Sequence, residues 1–261
     1  MVKKIIPLFE RIEIETQSTC NRKCVWCIRN SDPDKVATAP WFKKTQLPVE
    51  IIDKIIDESL AIGFKPRNNY DICINHYNEP MMDKRLVDII KRIKSKANFG
   101  IFCGSNADYL TKKLAGELDG LIDEIGFTLY YGGEKFIKRR DHIKTLFNKT
   151  KITICDGSND ETYPMLTHYN PIVKDVNEIA KSRQSNICRH PLKRLIINHL
   201  GEMLMCCDDL TGNFKLGSIY ENTVEELWYG EKHQRLVAAL QKPNGRKVPG
   251  NEHCLTCPRS G

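Results

Sequence analysis

A chain of 261 residues, 28% of them charged and 41% hydrophobic, is long enough to bury a full core as one large domain or as a domain with an appendage. No apolar run approaches the roughly 20 residues that span a bilayer, and Glu10 interrupts the N-terminus too early for a signal-peptide core, so the expected location is the cytoplasm, with no membrane partner. Eleven cysteines in a reducing compartment point to metal or cluster ligation, because disulfides are rare there and an odd count leaves one thiol unpaired.

Residues 10–16, ERIEIET, alternate polar and apolar and read as a strand. It runs into STCNRKCVWCIRN, where Cys20, Cys24 and Cys27 stand in C-x3-C-x2-C spacing beside Trp26. After Pro48, VEIIDKIIDESLAIG has the apolar spacing of an amphipathic helix, with Gly63 as its stop. A strand is expected over 70–77, a turn at Asn78-Glu79-Pro80 and a helix over 83–96. The unit repeats: strand 98–103, helix 110–118, strand 123–130, helix 133–147 and strand 151–155. Such a cadence implies parallel βα units, hence an α/β fold built on an open doubly wound sheet or a full or partial barrel. No glycine-rich phosphate fingerprint follows the first strand, which argues against a nucleotide-binding Rossmann domain.

In barrels of βα units, chemistry collects on the loops after the C-terminal ends of the strands. The cysteine loop, the Asn78-Glu79-Pro80 turn and Gly104-Ser105-Asn106-Ala107 all fall there. Cys73, Cys103 and Cys155 sit in or at the ends of strands and read as small buried core thiols. The basic stretches at 91–96 and 138–140 lie on helical patterns and read as solvated faces.

From about residue 157 the cadence breaks. A polar stretch and a possible helix over 174–183 lead to Cys188; KRLIINHLGEMLMCC reads as a hairpin turning near His199 to Glu202. NTVEELWYGEKHQRLVAAL reads as one helix, capped by Asn222 or Thr223 with Glu226 behind it, and HCLTCPRSG closes the chain with Cys254 and Cys257 in C-x2-C spacing.

Three thiolates bind zinc only if a fourth ligand completes the tetrahedron, and no cysteine or histidine occurs within forty residues after Cys27. An iron-sulfur cluster held by three cysteines instead leaves one iron open. C-x3-C-x2-C in the loop after the first strand, with an aromatic before the last cysteine, resembles the signature of radical S-adenosylmethionine (radical SAM) enzymes. The resemblance implies a partial (β/α) barrel and a 4Fe-4S cluster on Cys20, Cys24 and Cys27, whose open iron is chelated by SAM. It also implies reductive cleavage of SAM to a 5′-deoxyadenosyl radical that abstracts hydrogen from substrate. Tyr77-Asn78-Glu79-Pro80 matches the family's Gly-Gly-Glu-Pro element, which receives the SAM amine, with both glycines replaced. Ser105-Asn106-Ala107 stands where many members have a Thr-Asn-Gly-like stretch near the SAM ribose, although ordinary turn roles would also account for it. Trp26 is expected to pack on the adenine or in its own loop, and Tyr130 and Tyr131 to face the barrel mouth, with Tyr130 among the cofactor contacts.

Cys188, Cys206, Cys254 and Cys257 would complete a closed four-thiolate site for zinc or a 4Fe-4S cluster. The sequence between them resembles the SPASM and shorter twitch cluster domains of radical SAM enzymes. Five cysteines are too few for the two clusters of a full SPASM domain, which favours one auxiliary cluster. Cys206 and Cys207 alternate faces of a strand, so one should ligate, and the family pattern favours Cys206. The resulting division is a radical SAM partial barrel over 1–187 and an auxiliary cluster domain over 188–261.

A fully ligated auxiliary cluster implies electron transfer: it takes the electron of the substrate radical, and deprotonation completes a two-electron oxidation. The expected enzyme is a dehydrogenase-like radical SAM oxidoreductase of a small polar alcohol such as a sugar, cyclitol or nucleoside, served by an external donor such as flavodoxin or ferredoxin. A peptide or protein maturase is the alternative, against which only 19 residues precede Cys20. A noncatalytic iron-sulfur or zinc nucleic-acid binder is a third reading. Its support, a formal charge of +7, falls to about +4 once ligated clusters are counted. Where sugar-oxidising relatives often carry an Asn-Arg-Gly-Gly-like stretch, this chain has Thr167-His168-Tyr169-Asn170-Pro171, so a familiar aminocyclitol substrate is not assured. His168, Tyr169 and His76 are candidates to orient the substrate or take its proton, since histidine titrates near neutrality.

Overall fold

Strand and helix alternate through the first part of the computed structural model, which describes residues 4–24, 27, 29, 45–158, 176–209 and 212–259. The order is β1 (Arg11–Ile14), α1 (Val49–Ala61), β2 (Ile72–Cys73), α2 (Leu86–Lys96), β3 (Ile101–Ser105), α3 (Lys112–Leu118), β4 (Glu124–Leu129), α4 (Gly133–Lys144) and β5 (Lys151–Asp156). A 3-10 turn, Pro80–Met82, stands between β2 and α2. Then come α5 (Val176–Arg183), the single turn α6 (His190–Lys193), β6 (Arg194–Ile197), β7 (Met203–Leu204), α7 (Val224–Trp228), α8 (Glu231–Leu240), a 3-10 turn at Gly245–Lys247 and α9 (Glu252–Leu255).

The seven strands form one open sheet in the order β5-β4-β3-β2-β1-β6-β7. All pairings are parallel except β6 with β7. Strands 1 to 5 step in one direction, so right-handed crossovers put α1 to α4 on one face. Ile12, Ile14, Ile72, Ile125 and Phe127 are buried beneath that helix layer. Alternation then turns Glu13, Cys73, Gly104 and Thr128 to the other face, where the loops meet. The C-terminal segment shares this sheet and its core: β6 pairs with β1 from Arg11↔Arg194 to Ile14↔Ile197, and the Trp228 indole donates to the Pro7 carbonyl at 2.9 Å.

Several expected elements change extent for local reasons. The strand expected over 70–77 keeps only Ile72–Cys73, because Tyr70 adopts a left-handed φ of 50° and the Asp71 carboxylate takes the amides of Arg67, Asn68 and Gly100. The Gly100 amide is spent on Asp71, and β3 begins one residue later and extends to Ser105. The helix expected over 222–240 is two helices that break at Gly230, whose Cβ would lie 2.8 Å from the Glu226 carbonyl. Thr223 caps the first of them in a reciprocal capping box with Glu226. Cys73 and Cys103 are buried as expected, but Cys155 is exposed because β5 lies at the sheet edge. Among the described residues, no helix is long and apolar enough to cross a membrane.

Candidate functional site

The loops after β1, β2 and β3 converge on a cavity of about 220 Å³ lined by Cys20, Cys24 and Cys27 together with His76, Asn78, Glu79, Ser105, Asn106, Thr128 and Tyr130. Burial pushes the Cys20 thiol up and Cys27 up to about 12, with each neighbouring thiolate adding to the cost at Cys27. Thiols in such a place ionise only when a cation replaces the proton. Among the described residues, no three or more His, Cys, Asp or Glu side chains are grouped to hold a metal ion. All three thiols line the cavity.

Glu79 is the clamp between two of these loops. Its carboxylate accepts from the Met81 amide at 3.0 Å, the Ser105 hydroxyl at 2.7 Å and the Asn106 amide at 2.8 Å. At 2% exposed it is desolvated, which raises its pKa. Glu79 thus offers a ligand little free capacity, and Ser105 and Asn106 are held by it. The Asn106 amide group also reaches Asn21 Oδ1 at 2.8 Å and the Cys20 sulfur at 3.9 Å. Pro80 opens the 3-10 turn that Glu79 caps.

Two residues that line the cavity, Asn78 and His76, carry a buried side-chain nitrogen with no protein partner, Nδ2 and Nε2, as does Arg22 at Nε. Asn78 is fixed by its other end, where Oδ1 accepts from the His76 amide at 3.0 Å. An unpartnered buried donor is costly, so these atoms fit a polar group brought by a ligand. The three-thiol loop together with these donors fits a cluster-bound SAM; Asn78 would meet it and Tyr130 would border it. A second cavity of about 540 Å³ adjoins the first, sharing Arg22, Cys24 and Tyr130, and Asp108 anchors Arg22 across it at 2.7 Å. The Arg22 guanidinium lies 4.5 Å from the Tyr130 ring centroid.

Behind the cavity lies a charged layer that the strand pattern alone did not assign to the site. Glu13 binds Arg194 at 2.9 Å and stands 3.9 Å from His76 Nδ1, while Glu15 binds His199 Nδ1 at 2.6 Å. The His199 pair offsets the burial of Glu15 and leaves its pKa lowered. Burial lowers the pKa of His76, which is therefore neutral near pH 7. The signal was present in ERIEIE: a strand buried on both faces of a parallel sheet that carries two carboxylates must aim them at partners.

The other four candidate thiols, Cys188, Cys206, Cys254 and Cys257, lie in the C-terminal segment. Cys254 is influenced by Cys257 and Cys188, and Cys206 by Cys254. Burial pushes Cys254 up to about 12 and Cys257 up to about 11. Burial pushes Cys207 up to about 12, with Asp208 adding to the cost and Arg259 and Arg194 opposing it. Tyr77, which lines the first cavity, donates its hydroxyl to the Cys207 carbonyl at 2.6 Å. Trp26, His168 and Tyr169 lie outside the described residues.

A family model for the SPASM iron-sulfur cluster-binding domain matches residues 188–258. This segment is similar to SPASM domains. The whole chain is 26% identical over 256 residues to the S-adenosyl-L-methionine-dependent 2-deoxy-scyllo-inosamine dehydrogenase of Niallia circulans, covering 96% of this chain and 93% of that one. Its fold is similar to BtrN in complex with AdoMet and 2-DOIA, with a TM-score of 0.70 at 20% identity over 98% of this chain and 94% of the other. It is also similar to native anSMEcpe with bound AdoMet and Cp18Cys peptide, with a TM-score of 0.59 at 13% identity over 90% and 84%. The resemblance to radical SAM enzymes with a SPASM-type domain is thereby borne out, and with it the α/β fold, here an open sheet rather than a closed barrel.

Proposed function

We propose that this protein is a radical SAM oxidoreductase that oxidises a small polar alcohol. The observation that carries the reading is the coexistence, in one chain, of a three-thiol cavity with unpartnered donors and a separate set of four thiols within the segment similar to SPASM domains. Similarity over nearly the full length to a dehydrogenase of 2-deoxy-scyllo-inosamine supports the substrate class. When bound, SAM and two 4Fe-4S clusters supply hydrogen-atom abstraction and an electron sink. Residues 1–187 carry the first site and 188–261 the second.

The chain's own groups supply the rest. Cys20, Cys24 and Cys27 would hold the first cluster, and Asn78 would contribute a polar contact to SAM. Cys188, Cys206, Cys254 and Cys257 hold the auxiliary cluster. His76, kept neutral by burial and lining the cavity, would take the proton of the substrate hydroxyl. Its ring packs edge-on against Tyr77, with centroids 4.5 Å apart, and Glu13 stands 3.9 Å from Nδ1. His168 and Tyr169 are candidates to orient the substrate or take its proton. The alcohol loses one hydrogen atom, one proton and one electron and becomes a carbonyl. An external one-electron donor of the flavodoxin or ferredoxin class serves the enzyme in the cytoplasm, without nucleic acid or membrane.

Anaerobic reconstitution tests this directly. About eight irons per chain and 5′-deoxyadenosine on reduction are expected, with loss of two hydrogens from one member of a panel of cyclitols, aminosugars and nucleosides. Four or fewer irons without SAM cleavage would overturn the reading, and turnover of a peptide in place of the alcohols would replace the substrate class.

A further inference from the structure

Arg246 is 1% exposed, and among the described residues it has no carboxylate partner. Its two terminal nitrogens donate to backbone carbonyls, those of Cys257 at 3.0 Å and Arg259 at 2.8 Å, and its Nε has no partner. The guanidinium is thereby placed beside a proposed ligand, since the carbonyl it holds at 3.0 Å is that of Cys257. The nearby acids are otherwise engaged. Asp208 is paired with Arg259 at 2.6 Å, and Asp209 accepts from the amides of Met205 at 3.0 Å and Asn213 at 2.7 Å.

The backbone is built to hold this guanidinium in place. Asn244 adopts a left-handed φ of 62°, and a Cβ on Gly245 would fall 1.8 Å from the Ala239 carbonyl, so the turn lies directly on the end of α8. Asn251, itself fully buried, ties down the Gly245 carbonyl at 3.0 Å. A buried cation without a counter-ion is expensive, and a protein keeps one only where an anion is supplied.

We infer that Arg246 is the counter-charge of the C-terminal iron-sulfur site: it offsets the negative charge of the loaded and reduced site, and so sets how readily that site accepts the substrate's electron. This rests on the proposal that Cys188, Cys206, Cys254 and Cys257 hold a cluster. A fixed positive charge beside a cluster favours its reduced form and raises its potential. Arg246 is accordingly a positioning and tuning residue rather than one that touches the alcohol.

The test isolates the second site by replacing Cys20, Cys24 and Cys27 with Ala in the full chain, then compares Arg246, Arg246→Lys and Arg246→Gln by iron content and EPR-monitored redox titration. Arg246→Gln should keep about four irons and shift the midpoint potential to more negative values, with Arg246→Lys recovering most of the shift. An unchanged potential in Arg246→Gln, or equal shifts in both variants, would overturn the inference. If Arg246→Gln loses its iron, retention in Arg246→Lys supports the charge role and loss in both refutes it. Absence of iron with Arg246 intact would sink the underlying assignment of the four cysteines instead.

Discussion

The hydroxyl of Tyr77 donates to the backbone carbonyl of Cys207 at 2.6 Å, joining the loop after β2 to the end of the β6–β7 hairpin across 130 residues of sequence. The Tyr77 carbonyl in turn accepts from Arg29, just beyond the first cysteine triplet, at 3.2 Å. One side chain therefore ties the three-thiol cavity to the corner that carries Cys206.

Removing only that hydroxyl should loosen the tie. Tyr77→Phe leaves the Cys207 carbonyl without this donor in a buried place, a loss of about 1–2 kcal/mol in unfolding free energy. Denaturant titration of the iron-loaded protein measures it. Product formation should fall further than 5′-deoxyadenosine release, and equal losses in the two would argue against Tyr77 as the link between the sites.

His76→Ala should retain SAM cleavage and iron while product formation drops about 100-fold. The wild-type pH profile follows from burial, which lowers the pKa against the opposing pull of Glu15, Glu13 and Asp208. The neutral base then predominates above that lowered value, so the acid limb of product formation should lie below pH 6.5, with a plateau through neutrality. A limb above pH 7 lost in His76→Ala would show that the histidine is charged in the resting enzyme.

His233 should carry a pH-dependent share of stability. It is 2% exposed, with Nδ1 on the Trp228 carbonyl at 2.7 Å, and burial lowers its pKa from 6.5 to about 4. The unfolded chain binds the proton more tightly, so this stability is full above pH 6.5 and drains away as the pH falls toward 4, on the order of 3 kcal/mol in all. Asp209, raised to about 6 by burial, contributes with the opposite sign over much of that window. The difference in unfolding free energy between wild type and His233→Asn, followed from pH 7 to pH 4, separates the two; a difference that does not change with pH would refute it.

Gly245→Ala should be severe, because its Cβ would meet backbone rather than a side chain that could turn aside. A cost of about 3 kcal/mol or more is expected, with iron falling from about eight to about four per chain as the C-terminal site fails. Iron analysis and thermal unfolding read both effects, and a variant with full iron content would show that the turn can move without disturbing the thiols.

Much of this site was legible because its chemistry is local. The spacing of Cys20, Cys24 and Cys27 lies within one loop, and Glu79-Pro80 and Ser105-Asn106 lie at the ends of strands whose pattern is plain. The strand alternation expected to separate Cys206 from Cys207 does not apply, because β7 ends at Leu204 and both cysteines lie in the bend and turn that follow it. Tyr77 and Arg246 were not legible. Their roles arise from contacts that tertiary packing creates: a tyrosine beside a motif looks like packing, and an arginine in PNGRKVPG looks like surface charge. The exposure of Cys155 was missed for a related reason, since composition does not say which strand lies at an edge. The break at Gly230 was missed because the apolar period continues through it.

The pairing of β1 with β6 also orders events in time. Arg194 and Glu13 meet across 181 residues, so β1 remains open on one side until β6 has been made. During that interval its free edge is a template for pairing with other chains, and such distant partners close slowly. The cysteine loop that follows β1 is likewise anchored on one flank alone. Truncated chains ending before β6 should therefore aggregate, and delivery of iron and sulfide to the first three thiols should be most productive only after synthesis of the second set is complete.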